Sequence, residues 1–233
     1  MKVSIIIPAY NEEKFIARTL ESVSKLDRDN LDIEVILADG GSTDKTREIA
    51  QSFGAIVLKL PHIGIGFARQ KGLLSAKGEI VAYTDADTIV PSDWLMKHVN
   101  ALKRSNVVFS CGAFKVTDGI FPYYQYINYL QTPIQWLVFT LFKVPLAAGQ
   151  NIAFWREKAL SIGGFNERLK VAEDIDIASR MRKVGKVIFS PDIIVYSSGR
   201  RSKEGRGFFL RIIITTIKYY LGKRDLQIFP DYR

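Results

Sequence analysis

The chain opens on short apolar runs separated by longer mixed stretches. Residues 3–8 form a β-branched run, the pattern of a buried strand. Phe15, Ile16, Leu20 and Val23 then recur at helical spacing and predict a helix over 13–26. The alternation continues with strands expected over 33–38, 55–60, 80–84 and 107–114. Between them lie helices expected over 45–53, 66–76 and 92–105, with Asp44 as a cap, and Gly54, Pro61 and Gly78 as stops. Strands separated by helices of this length predict βαβ units, hence an α/β fold with a mainly parallel sheet flanked by helices.

The second half reads differently. Residues 119–142 hold no charged side chain and are rich in Tyr, Phe, Trp and Leu, broken by Pro122, Pro133 and several amides. A membrane span needs about 20 predominantly apolar residues. This stretch is too interrupted for that, and 208–221 is too short and carries Arg211 and Lys218. Two readings stay open for both stretches: an interfacial surface with aromatic and basic anchors, or core and oligomer contacts. With no internal repeat and no linker, one domain over 1–233 is expected: a nucleotide-binding half over 1–115, an acceptor half over 116–198 and a basic, apolar tail over 199–233.

Charge changes this picture at one place. The net charge is +9, and between Gly199 and Arg224 eight basic residues face the single acid Glu204. Flanking an apolar run, these charges favour a membrane surface or phosphates, and no nucleic-acid partner is expected. The lone Cys111 excludes an internal disulfide and any cysteine-rich zinc site. The opening residues lack the apolar stretch of a signal peptide, which predicts a cytoplasmic chain with a peripheral contact on the cytoplasmic membrane face.

Candidate chemistry gathers where the predicted strands end, the edge at which open parallel sheets bind ligands. Pro8-Ala9-Tyr10-Asn11-Glu12 follows the first strand, Asp39-Gly40-Gly41-Ser42-Thr43-Asp44 the second, and Asp85-Ala86-Asp87 the fourth. A Gly-rich turn with a helix cap explains Gly40, Gly41 and Asp44, but leaves Asp39 as an acceptor for a base N–H or a ribose hydroxyl. Strand alternation would point Asp85 and Asp87 to one side, where they repel unless a cation bridges them. A hard divalent ion, Mg²⁺ or Mn²⁺, suits such oxygen ligands and substrate phosphates. Solvated loop acids are the plain alternative. Arg69 stands where a dinucleotide fingerprint would end in Gly or Ala, and neither His62 nor His98 has an evident Ser or Cys partner for a hydrolase triad.

Four blocks in order, SIIIPAYNEEKFIARTLESV, EVILADGGSTDKTREIA, GIGFARQKGLLSAKGEIVAYTDADT and GQNIAFWREKALSIGGFNERLKVAEDIDIASRMRKVG, resemble the family-two inverting glycosyltransferases of GT-A (Rossmann-like) fold. The resemblance covers most of residues 1–200. It implies that Pro8, Tyr10 and Glu12 lie along the nucleoside and that Asp39 bonds the base, usually uracil. It implies that Arg69 and Lys71 approach the nucleotide or its diphosphate, that Asp85 serves the ribose or the metal, and that Asp87 is the main metal ligand. Asp174 becomes the catalytic base and Glu173 and Trp155 belong to the acceptor side. Gly40 departs from the family by removing a carboxylate often found beside Asp39.

The implied reaction is metal-dependent, inverting transfer from a nucleotide-diphosphate sugar, UDP-sugar favoured, to a sugar, lipid-linked or polyprenyl-phosphate acceptor. Asp176 competes with Asp174 as base, and Glu173 and Asp174 have a plain alternative role in complementing the dipole of a helix expected over 173–184. For Arg200 and Arg201, in a glycine-flanked basic loop, two readings stay open: a lid that folds over the diphosphate, or a mobile surface loop. Two rivals remain: a phosphatase of the haloacid dehalogenase class using Asp85 and Asp87, and a non-catalytic nucleotide-sugar-binding protein.

Overall fold

The computed structural model describes residues 1–200 together with Ser202 and Ile214. Arg201 and the stretch 208–221, apart from Ile214, therefore lie outside the described residues. In chain order the strands and helices begin β1 (Lys2–Ala9), α1 (Ile16–Ser24), β2 (Asp32–Asp39), α2 (Thr46–Ser52), β3 (Ile56–Lys59), α3 (Ile65–Ser75) and β4 (Ile80–Tyr83). These are the alternating units that periodicity predicts. Helix α1 starts later than expected, because Asn11, Glu12 and Glu13 are held by the loop that follows β2.

After β4 come β5 (Thr88–Ile89), α4 (Trp94–Leu102), β6 (Val107–Val116), α5 (Tyr123–Gln125), a π-helical stretch (Tyr126–Gln131) and α6 (Thr132–Phe142). The described order ends with β7 (Ile152–Trp155), α7 (Arg156–Ser161), α8 (Glu173–Met181) and β8 (Lys186–Ser197). The eight strands form one sheet in the order β3-β2-β1-β4-β7-β6-β8-β5. From β3 to β4 it is parallel, as βαβ units require. β7 then runs antiparallel to both β4 and β6, so the sheet is mixed as a whole.

Three strands have no counterpart in the sequence reading: β5, β7 and β8. β5 is two residues long, β7 is four, and β8 carries Pro191 at a register break between Gly112 and Ala113 of β6. Proline donates no ladder hydrogen bond, so a bulge is where a strand tolerates it.

Side-chain alternation divides the core. Val3, Ile5 and Ile7 of β1 pack on one face with Ile16 and Leu20 of α1 and Trp94 and Leu95 of α4. Ile6, Val81 and Tyr83 face the other side, against Leu73 of α3 and Ile177 and Met181 of α8. Gly72 permits this second contact, since a Cβ there would stand 2.5 Å from Ile6 Cγ2. The strand ends thus lie clamped between helical layers, with their carboxyl edge free for loops.

Candidate active site

The loops after β1 and β2 are sewn together. The Asn11 amide donates to Ser42 Oγ at 2.9 Å, the Glu12 amide to Thr46 Oγ1 at 2.8 Å, and the Thr43 amide to Asn11 Oδ1 at 2.8 Å. Asp44, at the start of α2, accepts from the Thr46 and Glu13 amides. Asp39 ends β2 fully buried; both its oxygens accept from the Ser42 amide and Arg47 Nη1 stands 3.7 Å away. The Tyr10 and His62 rings lie 4.0 Å apart, and His62 Nδ1 is 3.2 Å from the Gly40 carbonyl.

A cleft of about 410 Å³, open mouth included, is lined by Pro8, Tyr10 and Glu12 from the first loop, Gly40 from the second, Gly64, Ile65 and Ala68 at the start of α3, and Asp85 and Asp87. The two aspartates share this cleft for a different reason from the one the pattern suggests. They lie in a turn closed by the Thr88 amide on the Asp85 carbonyl at 3.1 Å, not in an alternating strand.

Each aspartate has its own guanidinium. Arg69 Nη2 donates to Asp85 Oδ1 at 3.0 Å. Arg200 Nη2 lies 3.1 Å from Asp87 Oδ2, and the same guanidinium forks onto both oxygens of Glu12 and covers the Phe15 ring at 4.6 Å. The like charges are therefore met by two arginines in this state. Among the described residues no group of three or more His, Cys, Asp or Glu could hold a metal. Asp85 and Asp87 fit a hard cation that completes its shell with phosphate and water, the usual arrangement for Mg²⁺.

Arg69 reaches further. It is 2 % exposed, its Nε stands 3.5 Å from Glu173 Oε1, and its Nη1 and Nε have no hydrogen-bond acceptor among the described residues. Gly149 makes room for it: a Cβ there would sit 1.6 Å from Nη1. Gly149 also donates its amide to Asp174 Oδ2 at 2.7 Å, while the Ile175 amide takes Oδ1 at 2.8 Å. Burial holds the Asp174 carboxyl above the ordinary carboxylate range, and the Arg69 charge opposes that shift. A carboxyl so poised, fixed by two amides, has the properties of a general base.

Asp176, the competitor, is taken up by Arg180, whose guanidinium also donates to the Ile162 and Gly164 carbonyls. Two other expected residues fall elsewhere. Lys71 pairs with Glu167 at 2.9 Å and does not line the cleft. Trp155 pairs with Ile80, the first residue of β4, whereas Ile152 pairs with Tyr83. The antiparallel run of β7 thus puts Trp155 at the sheet edge opposite Asp85, where its indole donates to the Val107 carbonyl; it is not on the acceptor side.

The sequence reading also passed over a hub. Asn151 accepts from Trp94 Nε1 and His98 Nε2, both at 2.9 Å, and donates to the Ala113 and Ile193 carbonyls. His98 Nδ1 is then left to accept from the Ser110 hydroxyl at 2.9 Å. His98 does have a serine partner, but both are fully buried, so the pair is a core contact and not a hydrolase dyad. Gln150 meets Thr88 and Ser197 behind the aspartate turn. The amide run Gly-Gln-Asn between apolar neighbours is the signal that pointed here.

The family described as Glycosyl transferase family 2 matches residues 4–163. A Bacillus subtilis protein named "Probable glycosyltransferase YdaM" is 27% identical over 98% of this chain, which spans 60% of that protein's length. A Pyrobaculum calidifontis mannosyltransferase solved with GDP-Man and Mn²⁺ superposes with a TM-score of 0.72 at 26% identity, over 91% of this chain and 60% of that one. Glucosyl-3-phosphoglycerate synthase of Mycobacterium tuberculosis, solved with Mn²⁺, UDP-glucose and phosphoglyceric acid, shares the fold with a TM-score of 0.67 at 23% identity, over 96% and 81%.

Proposed function

The chain belongs to glycosyl transferase family 2, and on that premise we propose that it transfers a sugar, with inversion, from a nucleotide-diphosphate donor to a lipid-linked acceptor at the cytoplasmic membrane face. The observation that carries the reading is the convergence of Pro8, Tyr10, Glu12, Asp85 and Asp87 on one cleft at the carboxyl edge of the sheet. In this proposal the nucleoside lies along Pro8, Tyr10 and Glu12, and Asp39 bonds the base, with UDP-sugars favoured. Asp87, assisted by Asp85, would hold Mg²⁺ or Mn²⁺, which would supply Lewis-acid stabilisation of the charge that grows on the departing diphosphate. The solved relatives that hold Mn²⁺ beside a nucleotide sugar support this choice of ion.

The chain's own residues do the rest. Arg69 keeps Asp85 aligned and carries positive charge from the donor cleft to Glu173 and Asp174. Asp174 takes the proton of an attacking hydroxyl from the face opposite the leaving group. A phosphate acceptor, already ionised near neutral pH with a second pKa of about 6, relies on positive charge instead of a base. Arg200 leaves the carboxylates and, joined by Arg201, covers the diphosphate when the donor enters, exchanging one anionic partner for another. The division into a donor half over 1–115, an acceptor half over 116–198 and a tail over 199–233 is part of the same reading.

A thermal-shift panel of UDP-, GDP-, CMP- and dTDP-sugars, with and without Mn²⁺, tests it. A metal-dependent shift with one nucleotide is expected. No shift with any of them would overturn the reading, and binding without turnover on hydroxyl and phosphate acceptors would leave a non-catalytic binding protein.

A further inference from the structure

We propose that the helical stretch from Ile120 to Phe142 is a docking surface for the headgroup layer of an anionic lipid bilayer. The inference rests on the transferase reading above, since it states where a lipid-borne acceptor is met. The stretch is anchored on one side only. Tyr123 and Ile127 are buried against Val116, the Asn128 side chain pairs with the Val116 backbone, and Gln135 donates to the Leu146 carbonyl. The other side faces solvent: Phe121 is 77% exposed, Tyr129 68%, Trp136 50%, Leu141 62% and Phe142 68%. This removes the core reading for the segment. Leu130, Leu137 and Leu141, spaced by seven and four, share one helical face with Ile134 between them.

Three facts identify a bilayer as the occupant. First, 24 residues from Gly119 to Phe142 carry no charge, and the large exposed side chains among them are Trp, Tyr, Phe, Leu and Ile, the types that settle at the membrane–water boundary. Second, the surface is bounded by cations. The exposed Lys143 closes α6, and the Ile120 amide donates to Ser202 Oγ at 3.1 Å, a serine that Arg201 and Lys203 flank in the sequence. Apolar insertion flanked by basic residues complements anionic headgroups. Third, the run does not cross: among the described residues no helix is long and apolar enough to span a membrane.

The surface also faces the right way. β6 runs in the same direction as β4, because both are antiparallel to β7. Cys111 of β6 is level with Ile152 and so with Tyr83, the last residue of β4. β6 continues to Val116 past that level, so the surface hangs from the edge that bears Asp85 and Asp87.

The test is sedimentation of the full chain with vesicles of phosphatidylcholine alone or mixed with phosphatidylglycerol. Binding is expected to the mixed vesicles, weakening as salt rises, and Trp136→Ser with Leu141→Ser should lower it about tenfold or more. Trp94 is buried and Trp155 sits at the opposite sheet edge with its indole on the Val107 carbonyl, so the vesicle-induced blue shift of tryptophan emission should come chiefly from Trp136 and shrink in Trp136→Phe, which still binds. Donor-induced thermal shift of the double variant should equal wild type. No binding to either vesicle overturns the surface while leaving the donor reading intact. Vesicle binding without any donor shift overturns the transferase reading alone. A solution dimer that the double variant dissociates makes the face an interface between copies and refutes the proposal.

Discussion

Replacing Arg69 by Met tests the electrostatic core of the site. The guanidinium is buried and neutralises two buried carboxylates, Asp85 at 3.0 Å and Glu173 at 3.5 Å. Removing one partner of a buried ion pair costs about 3–5 kcal/mol, because the other charge is left without compensation. In a domain of this size each kcal/mol moves Tm by about 2–4 °C, so a fall of about 10 °C is expected. Urea unfolding at neutral pH measures the loss. A variant within about 1 kcal/mol of wild type at neutral pH, as for an exposed pair, refutes the reasoning. Gly149→Ala supplies a cross-check: its Cβ would occupy the same space as the guanidinium, so its cost should drop sharply in the Arg69→Met background.

Asp174→Asn should lower kcat on hydroxyl acceptors about 10²–10⁴-fold with little change in donor affinity; initial rates on hydroxyl and phosphate acceptors measure it, and near-wild-type turnover on hydroxyls removes Asp174 from the base role. The acid limb of the wild-type pH–rate profile should sit above the ordinary aspartate value, because the carboxyl is raised and must be ionised to act. His98, pushed down to about 4 by burial, stays neutral in the fold while the unfolded chain protonates it. Stability should therefore fall by about 3 kcal/mol from pH about 6.5 to about 4, a slope that His98→Gln flattens in urea titrations. The Cys111 thiol, pushed up to about 12 by burial, should resist a thiol-disulfide reagent until the protein is denatured. Arg200→Ala should alter Mn²⁺ affinity in calorimetry without nucleotide, since the guanidinium is beside Asp87 in the donor-free state.

The first half of the chain was legible because its signals are local. Apolar runs in β1, β2 and β4 announce buried strands, and Asp39, Asp85 and Asp87 stand out as charges at their ends. The second half was not, because its strands take their place from long-range pairing. The four residues of β7 have no alternation that distinguishes them from helix, and their antiparallel direction, which removes Trp155 from the site, is written in no residue of their own. The family resemblance implies only that Arg69 approaches the nucleotide or its diphosphate, and the tertiary fold brings it beside Gly149 and Glu173. Asp85 and Asp87 were matched to one cation by their spacing, while the structure gives each a separate arginine drawn from 16 and 113 residues away.

β6 and β8 outrun β7. Pairing of β7 with β6 ends at Cys111, while β8 accompanies β6 to Val116. The result is a lever rooted among eight strands and edged at its tip by β5, with that tip under Tyr123 and Ile127. Its β8 rail ends at Ser197, which is laddered to Thr88, and the Ser198 amide donates to the Asp87 carbonyl at 3.3 Å. A load applied at the tip therefore arrives, within one backbone hydrogen bond, at the residue proposed to hold the metal.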